Sequence, residues 1–382
     1  MTTQILHGDS LEILSPFAEK PIPNDSVDLL CTDPPYGYSF MGKSWDKTLP
    51  DIGVFKECFR VLKPGAFAFV MSAPRSDVCA RMMLMLEDAG FEIGFTPIYW
   101  TYASGFPKAM NIGKMVDKRN GVEREVVGRN PNSRENCDTS NTLYESGTVG
   151  KTAHITKGSG PLEGSYGGFQ PKPAVEVVIV AMKPLSEKTY VDQALKNGKG
   201  ITWLDDCRVP YISDDDKEKN TSGIARYKSV IGTTVKGNTH FLGGDLKINP
   251  NMTGARENGR FPANLLVEGN VLGEHSRFFS LDAWADTLPF LAVPKASKSE
   301  KNPGDVKNSH PTCKPLKLMS YLIQLGSRPG DTILDPFLGS GTTAIAAKQL
   351  GRECIGIERE AEYVEIAKAR IAAIRQSDPT LL

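Results

Sequence analysis

The chain has 382 residues, and its 45 lysines and arginines are balanced by 45 aspartates and glutamates. This balance removes any overall attraction to a polyanion, so contact with a nucleic acid has to come from local patches. The length predicts two or three domains, and no apolar run or leader-like N-terminus indicates a membrane-embedded or secreted protein.

The seven cysteines are scattered along the chain, and none belongs to a Cys-x-x-Cys pair. Such spacing argues against a disulfide framework and against a zinc site. We therefore expect a protein of the reducing cytoplasm that holds no metal.

The first hundred residues alternate apolar runs with helical spacing. The predicted strands are 5–7, 27–31, 66–71 and a β-rich stretch at 91–102, and the predicted helices are a short one capped by Ser10, then 52–62 and 78–89. Alternation of this kind predicts a parallel sheet with helices on both faces.

The motif Asp33-Pro34-Pro35-Tyr36 follows the apolar run 27–31. Two prolines end a strand because neither donates to a sheet ladder, and residues before a proline are held extended. The Asp33 carboxylate and the Pro34 carbonyl are thus held at the carboxyl end of a strand, where open α/β sheets bind ligands. An ordinary strand-ending turn is the alternative.

The middle of the chain breaks this rhythm. Residues 107–173 are rich in Gly, Asn, Ser and Thr, and we interpret them as a long insertion. The flanking stretches 97–102 and 174–182 are predicted to form an antiparallel hairpin at one edge of the sheet, with the insertion as its enlarged turn.

Residues 185–305 resemble neither flank, and we place a second domain there. Aromatic residues interleaved with basic ones suit base and phosphate contacts, although a solvated irregular domain would have a similar composition. The side chains in question are Trp203, Arg208, Arg226, Tyr227, Lys228, Arg256, Arg260 and Phe261.

The last segment contains a complete strand, glycine-rich turn, helix and strand, from Thr332 to Glu358. Backbone N–H groups of such a turn approach a ligand closely, and an acidic residue after the second strand accepts ribose hydroxyls. The phosphate-loop and dinucleotide glycine patterns are both missing. These features favour a nucleoside that carries an amino-acid carboxylate over a triphosphate.

Three sequence motifs together resemble the β-class DNA amino-methyltransferases. They are Asp335-Pro-Phe-Leu-Gly-Ser-Gly-Thr-Thr with Glu358, the upstream His310-Pro-Thr-Cys-Lys-Pro, and Asp33-Pro-Pro-Tyr36. In that family the catalytic tetrapeptide comes first, a target-recognition region lies in the middle and the cofactor motif comes last. The resemblance covers about residues 1–106, 174–184 and 308–375, and it implies a permuted Rossmann-like methyltransferase sheet, mostly parallel.

The resemblance implies the following organisation of the chain. The expected parts are a catalytic half (1–106), the insertion (107–173), an edge strand (174–184), a target-recognition region (185–305) and a cofactor-binding half (306–382).

The resemblance also implies that S-adenosylmethionine is the cofactor. Glu358 would bind its ribose, Asp9 would lie near its adenine, and Thr312 and Lys314 would lie near its methionine end. The remaining residues expected at the cofactor are Asp335, Pro336, Phe337, Gly339, Ser340, Gly341 and Thr342. His310 is as readily structural.

The implied reaction is methylation of an exocyclic amine on a base flipped out of double-stranded DNA. Asp33 and the Pro34 carbonyl would take the two N–H bonds, Tyr36 would stack on the base, and Pro35 completes the motif. In related enzymes Asp or Asn at the first position usually goes with adenine N6 and Ser with cytosine N4, so adenine is preferred here. Cytosine N4, an RNA or protein substrate, and a non-catalytic DNA-binding protein remain alternatives, and a homodimer is compatible with all of them.

Overall fold

A computed structural model describes residues 2–37, 47–102, 109–129, 154–169, 171, 173–218, 258–288 and 313–374. The chain divides into two compact units. The main unit comes from the chain before residue 104 and after residue 173, and the small unit comes from the stretch between them.

The described residues form twelve strands. In chain order they are β1 (Thr3–His7), β2 (Leu29–Thr32), β3 (Phe67–Ser72), β4 (Ile98–Thr101), β5 (Met110–Asn111), β6 (Glu125–Arg129), β7 (His154–Lys157), β8 (Tyr166–Gly167), β9 (Val175–Met182), β10 (Leu265–Val267), β11 (Thr332–Asp335) and β12 (Glu353–Glu358).

The α-helices are α1 (Ser10–Leu14), α2 (Ile52–Val61), α3 (Ser76–Asp88), α4 (Ile112–Arg119), α5 (Tyr190–Asn197), α6 (Leu281–Ala285), α7 (Leu316–Gly326), α8 (Thr342–Gln349) and α9 (Ala361–Ala372). Short 3₁₀ helices cover Leu204–Cys207 and Gly273–Phe278. Among the described helices, none combines the length and the apolar character needed to cross a membrane.

The main unit is organised around an eight-stranded sheet with the order β1-β12-β11-β2-β3-β9-β4-β10. Neighbouring strands are parallel except at β9, which is antiparallel to both β3 and β4. The predicted mostly parallel α/β fold is thus confirmed.

Successive residues of a central strand enter different hydrophobic cores, as the two-residue period of a strand requires. Leu29 packs in one core with α7 and α8, and its neighbour Leu30 packs in the other with α2 and α3. Both faces of the sheet are therefore covered by helices. Helix α7 approaches very closely, since a side chain at Gly326 would bring Cβ to 2.7 Å from Leu29.

The predicted hairpin between β4 and β9 is present, with Tyr99 opposite Val177. Its position in the sheet differs from the prediction, because β9 lies between β3 and β4, and β10 pairs in parallel outside β4. The three residues of β10 are too few to show a period of their own. The β-rich stretch at 91–102 contributes only the four residues of β4 as a strand.

Helix α1 begins differently from the prediction. The capping side chain is Asp9, whose carboxylate accepts the Leu11 N–H, and Ser10 is the first helical residue. The Ser10 hydroxyl instead donates to the backbone carbonyl of Pro336. This bond is made across the sheet edge, so local sequence could not indicate it.

The described residues of 185–305 belong to the main unit and do not form a compact unit of their own. Lys199 is one reason, because its ammonium group lies 2.8 Å from Asp28 and 2.9 Å from Asp331. Only 8% of the Lys199 side chain is exposed. Burying one cation between two carboxylates attaches this segment to the sheet, since separating them would break both ion pairs of a sheltered cation.

The small unit contains two antiparallel strand pairs, β5 with β8 and β6 with β7. The Asn111 side chain caps α4 by accepting the Lys114 N–H. Arg124 pairs with Asp117 and with Glu163 inside this unit. An ion-paired arginine thus ties the helix to the strands in a unit with few apolar contacts.

Asp335, the last residue of β11, joins several elements of the main unit. One carboxylate oxygen accepts the Thr32 hydroxyl at 2.6 Å and the Phe337 N–H at 3.0 Å, and the other accepts the Thr343 hydroxyl at 2.6 Å. Thr32 and Asp335 are 303 positions apart in sequence. The bonds hold the end of β2, the turn after β11 and the first turn of α8 together.

The pKa of Asp335 is raised from 3.8 to about 6, chiefly by burial and also by the nearby Asp33 charge, while the hydroxyl donors and the Phe337 N–H act to lower it. A folded-state pKa above the unfolded value means that the folded protein holds the proton more tightly. The contribution of Asp335 to stability therefore falls as pH rises from about 4 to about 6 and stays low above that.

We expect Asp335→Asn to remove this pH dependence. An amide keeps an acceptor for Thr32 and Phe337 and can donate to the Thr343 oxygen, but it does not ionise. The stability difference should change in favour of the variant by up to about 3 kcal/mol between pH 4 and pH 7. Thermal unfolding of both proteins across that range measures it, with Asp88→Asn, at an exposed carboxyl group, as control. A pH-independent difference would contradict the assignment.

Candidate active site

The turn after β11 is built on glycines in the left-handed region of backbone space. Gly339 has φ 54° and Gly341 has φ 87°. A side chain at Gly341 would place Cβ 2.9 Å from the Cβ of Ala367 in α9. The turn can follow this path only with glycine at Gly341, because both the backbone angle and the neighbouring helix exclude a side chain.

Arg370 hydrogen-bonds this turn, and no sequence pattern predicted that role. It is 1% exposed, and its guanidinium donates to the Ser340 carbonyl at 2.5 Å and to the Ser340 hydroxyl at 3.1 Å. A third contact, at 3.4 Å, reaches the Thr342 hydroxyl. An arginine in a C-terminal helix carries no motif, so only its contacts reveal the role.

Glu358 ends β12 beside the turn, and it is 9% exposed. One carboxylate oxygen accepts the Gly339 N–H at 2.8 Å and the other accepts the Glu360 N–H at 2.7 Å. Burial raises its pKa, and within the described residues no cation pairs with it. Each oxygen keeps a lone pair, so a buried acceptor of further hydroxyl groups is available.

Asp9 lies at the end of β1, which pairs with β12 so that His7 is opposite Glu358. The Gly8 N–H donates to the Glu358 carbonyl at 3.0 Å, and Asp9 itself is exposed. The fold thus brings Asp9, Glu358 and the turn after Asp335 to one edge of the sheet.

Phe337 and Thr342 lie on either side of the glycines. The Phe337 ring is partly exposed and lies 6.4 Å from the ring of Phe55, centroid to centroid. Thr342 is buried, with its hydroxyl 3.3 Å from the Cys313 thiol. Pro336 is buried between Asp335 and Phe337.

Asp33 follows β2 directly, so the Thr32 to Asp335 hydrogen bond places it beside the turn. The Tyr36 hydroxyl donates to Asp33 Oδ1 at 2.6 Å. Burial, followed by the charges of Asp33 and Glu176, raises the pKa of Tyr36 well above its ordinary value, so the phenol stays neutral. Among the described residues, no donor bonds the Pro34 carbonyl.

Lys314 lies against the motif that begins at Asp33. Its ammonium nitrogen is 2.8 Å from Asp33 Oδ2, 3.1 Å from Glu176 Oε2 and 5.5 Å from the centre of the Tyr36 ring. Burial alone would lower the pKa of Lys314, but the nearby charges of Asp33 and Glu176 raise it. The described contacts of this lysine are therefore with carboxylates.

Glu176 was not predicted as a site residue. It is the second residue of β9, and because β9 is antiparallel to β3, its beginning meets the end of β3, with Val177 opposite Ser72. The carboxyl end of β2 lies at the same edge, since β2 and β3 are parallel. A glutamate in an alternating strand has no signal of its own in the sequence.

Several predicted residues lie outside the described part of the chain, namely His310, Thr312, Arg226, Tyr227, Lys228 and Arg256. Two arginines expected to contact nucleic acid are buried instead. Arg208 pairs with Asp205, and Arg260 pairs with Asp216. Each also donates to a backbone carbonyl of the same segment, Arg208 to Gly259 and Arg260 to Pro210, which gives both a structural role.

Two curated relatives are similar to part of this chain. The Type II methyltransferase M2.DpnII of Streptococcus pneumoniae is 42% identical over 97 residues, which is 25% of this chain and 32% of that protein. M2.LlaDCHI of Lactococcus lactis subsp. cremoris is 44% identical over 90 residues, 24% of this chain and 29% of that protein. The aligned part thus spans about a third of the length of these relatives.

Solved structures with low sequence identity also align. A structure of PvuII DNA methyltransferase, described as cytosine-N4-specific, has a TM-score of 0.45 and 18% identity, covering 97% of this chain and 87% of that one. The family model N6/N4 Mtase, described as DNA methylase, matches residues 27–369. Because this match takes in both motifs and nearly all of the chain, the protein belongs to the DNA methylase family of N6 and N4 enzymes.

Proposed function

We propose that this protein methylates an exocyclic amine of a base in double-stranded DNA, using S-adenosylmethionine, and that the target is N6 of a flipped adenine. The observation that carries the proposal is the hydrogen bond from Thr32 to Asp335. It keeps an amine-accepting motif and a nucleoside-binding turn side by side. If the two motifs served unrelated functions, no hydrogen bond between them would be needed.

The residues of the turn suit S-adenosylmethionine. Glu358 is a buried carboxylate with spare acceptor capacity and no described cation partner, which suits the two hydroxyls of a ribose. We assign the ribose to Glu358, the turn Gly339–Gly341 and the Phe337 ring to the rest of the nucleoside, and the adenine end to Asp9. When bound, the cofactor supplies an electrophilic methyl group on a sulfonium.

The chain's contribution to the reaction is to hold and orient the target amine. An exocyclic amine is a weak nucleophile because its lone pair is delocalised into the ring. Accepting its two N–H bonds at Asp33 and at the Pro34 carbonyl turns the lone pair out of the ring plane, and most of the gain is positioning and electrostatics.

The geometry of the motif supports this assignment. Asp33 is fixed by Tyr36 on one oxygen and by Lys314 on the other, yet a carboxylate has about four acceptor positions, so capacity remains for the amine. The Pro34 carbonyl is without a donor among the described residues. As the amine nitrogen gains its new bond, its surplus proton passes to an oxygen of Asp33 and then to water.

A flipped base needs a surface to stack on, and the Tyr36 ring provides one. Its hydroxyl bond to Asp33 holds the ring, and Lys314 lies over it at 5.5 Å. A cytoplasmic location and a homodimer stay predictions.

We expect the methylated product to be N6-methyladenine, because Asp stands at the first position of the motif. Purified protein would be incubated with unmodified duplex DNA and S-adenosylmethionine, and the nucleosides would be analysed by mass spectrometry. N4-methylcytosine in place of N6-methyladenine would overturn the choice of base but not the reaction, whereas neither product would contradict the proposed function.

We expect Asp33→Ala to abolish methyl transfer, by roughly a thousandfold or more, while weakening cofactor binding by no more than about tenfold. The reason is that Asp33 holds the amine, whereas Glu358 and the glycine turn hold the nucleoside. Single-turnover rates and calorimetric titration with S-adenosylmethionine measure the two effects separately. Asp88→Ala, at an exposed position on α3, is the control. A non-catalytic DNA-binding protein would instead show no transfer before or after the substitution.

A further inference from the structure

Glu176 lies in the site but has no role in the reaction as proposed. Its carboxylate lies 3.1 Å from the Lys314 ammonium, which also lies 2.8 Å from Asp33 Oδ2, so one cation is shared by two carboxylates. The exposed fractions of the side chains are 11% for Lys314, 20% for Asp33 and 18% for Glu176. Charges this sheltered interact much more strongly than charges in water.

The contact between Glu176 and Lys314 is electrostatic in character. The buried Oε2 atom of Glu176 receives no aligned hydrogen bond among the described residues, although the ammonium lies within ion-pair distance. Glu176 therefore acts on its neighbours mainly through its charge.

The charge of the group follows from its members. Lys314 stays protonated because two carboxylates raise its pKa. The neighbouring phenols stay neutral, since burial and then the Glu176 charge raise the pKa of Tyr102 to about 12, and burial and nearby charges raise the pKa of Tyr36 well above its ordinary value. Asp33 and Lys314 alone would cancel, and Glu176 restores one net negative charge.

The proposed reaction needs that negative charge. The sulfonium carries a positive charge into the site, and the target amine becomes positive as it is methylated. A neutral Asp33–Lys314 pair would offer little stabilisation to either, whereas Asp33 without a cation would lose one of the two contacts that fix its orientation. A second carboxylate next to Lys314 satisfies both requirements, because it offsets the charge of the lysine while the lysine still contacts Asp33.

We propose that Glu176 is a positioning residue that offsets the charge of Lys314, so that Asp33 is held by a cation while the site keeps a net negative charge toward the reacting amine. This inference rests on the proposed function. Glu176 acts through Lys314 and needs no contact with the base or the cofactor.

The test compares S-adenosylmethionine with S-adenosylhomocysteine, which lacks the methyl group and the sulfonium charge. Calorimetric titration gives the ratio of their two dissociation constants for the wild type, Glu176→Gln, Lys314→Gln and the double variant. The ratio reports charge at the site, because a general loss of fold would weaken both ligands together.

We expect Glu176→Gln to shift the ratio about tenfold against the charged ligand, and Lys314→Gln to shift it in the opposite direction. The double variant should return close to the wild-type ratio, since it again carries one net negative charge. Asp335 is unchanged in every variant, so the hydrogen bonds that it accepts are common to all the proteins compared. Glu187→Gln, which removes the partner of Lys196 elsewhere in the main unit, should leave the ratio unchanged.

Methyl-transfer rates provide a second readout. Glu176→Gln should slow transfer in the wild-type background and should slow it much less in the Lys314→Gln background, where the site keeps a net negative charge without Glu176. A merely structural role for Glu176 predicts the same loss in both backgrounds, and that result would overturn the inference.

The binding results separate the two levels of inference. A wild type that binds neither ligand overturns the proposed function and this inference with it. A wild type that binds both, together with a Glu176→Gln variant of unchanged ratio, overturns the role of Glu176 alone.

Discussion

A buried carboxylate that accepts hydrogen bonds from three residues holds the parts of this site together. Asp335 accepts bonds from Thr32, from the backbone of Phe337 and from Thr343, and it is 2% exposed. Burying a carboxylate is costly unless its oxygens are hydrogen-bonded, so each of these donors is needed where it is. The consequence is that the end of β2 and the turn after β11 have one relative position. These hydrogen bonds set the distance between the motif that begins at Asp33 and the glycine turn.

The charged side chains of the site lie next to these hydrogen bonds. Lys314 reaches Asp33 from the segment before α7, and Glu176 reaches Lys314 from an antiparallel strand that begins where the parallel strands end. A mostly parallel sheet with one reversed strand thus collects residues from three distant parts of the chain at one edge. The Arg370 support of the Gly339–Gly341 turn is of the same kind, because it joins α9 to a motif thirty positions before it.

Prediction from sequence succeeded where the signal is local and periodic. The alternation of apolar runs identified β2, β3, β11 and β12, and the prolines after Asp33 marked a strand end. Prediction failed where the position of a strand or side chain depends on contacts with parts of the sheet that are distant in sequence. The three-residue β10 is held by its pairing with β4, and Ser10 bonds the Pro336 carbonyl while Asp9 caps the helix. Arg208 and Arg260, interpreted as candidates for contact with nucleic acid, are buried and paired with carboxylates instead, and the partner of Arg260, Asp216, is distant from it in sequence.

The sequence by itself determined the α/β class, the two motifs, their order and the family they resemble, since each is written in short runs of neighbouring residues. The tertiary structure alone decided which side chains meet at the sheet edge. It paired Lys314 with Asp33 and Glu176, placed Glu358 under the glycine turn and buried Asp335 among its donors. The physical reason is that ion pairs and buried hydrogen bonds depend on distance in space, and strand pairing brings together residues that no local pattern connects.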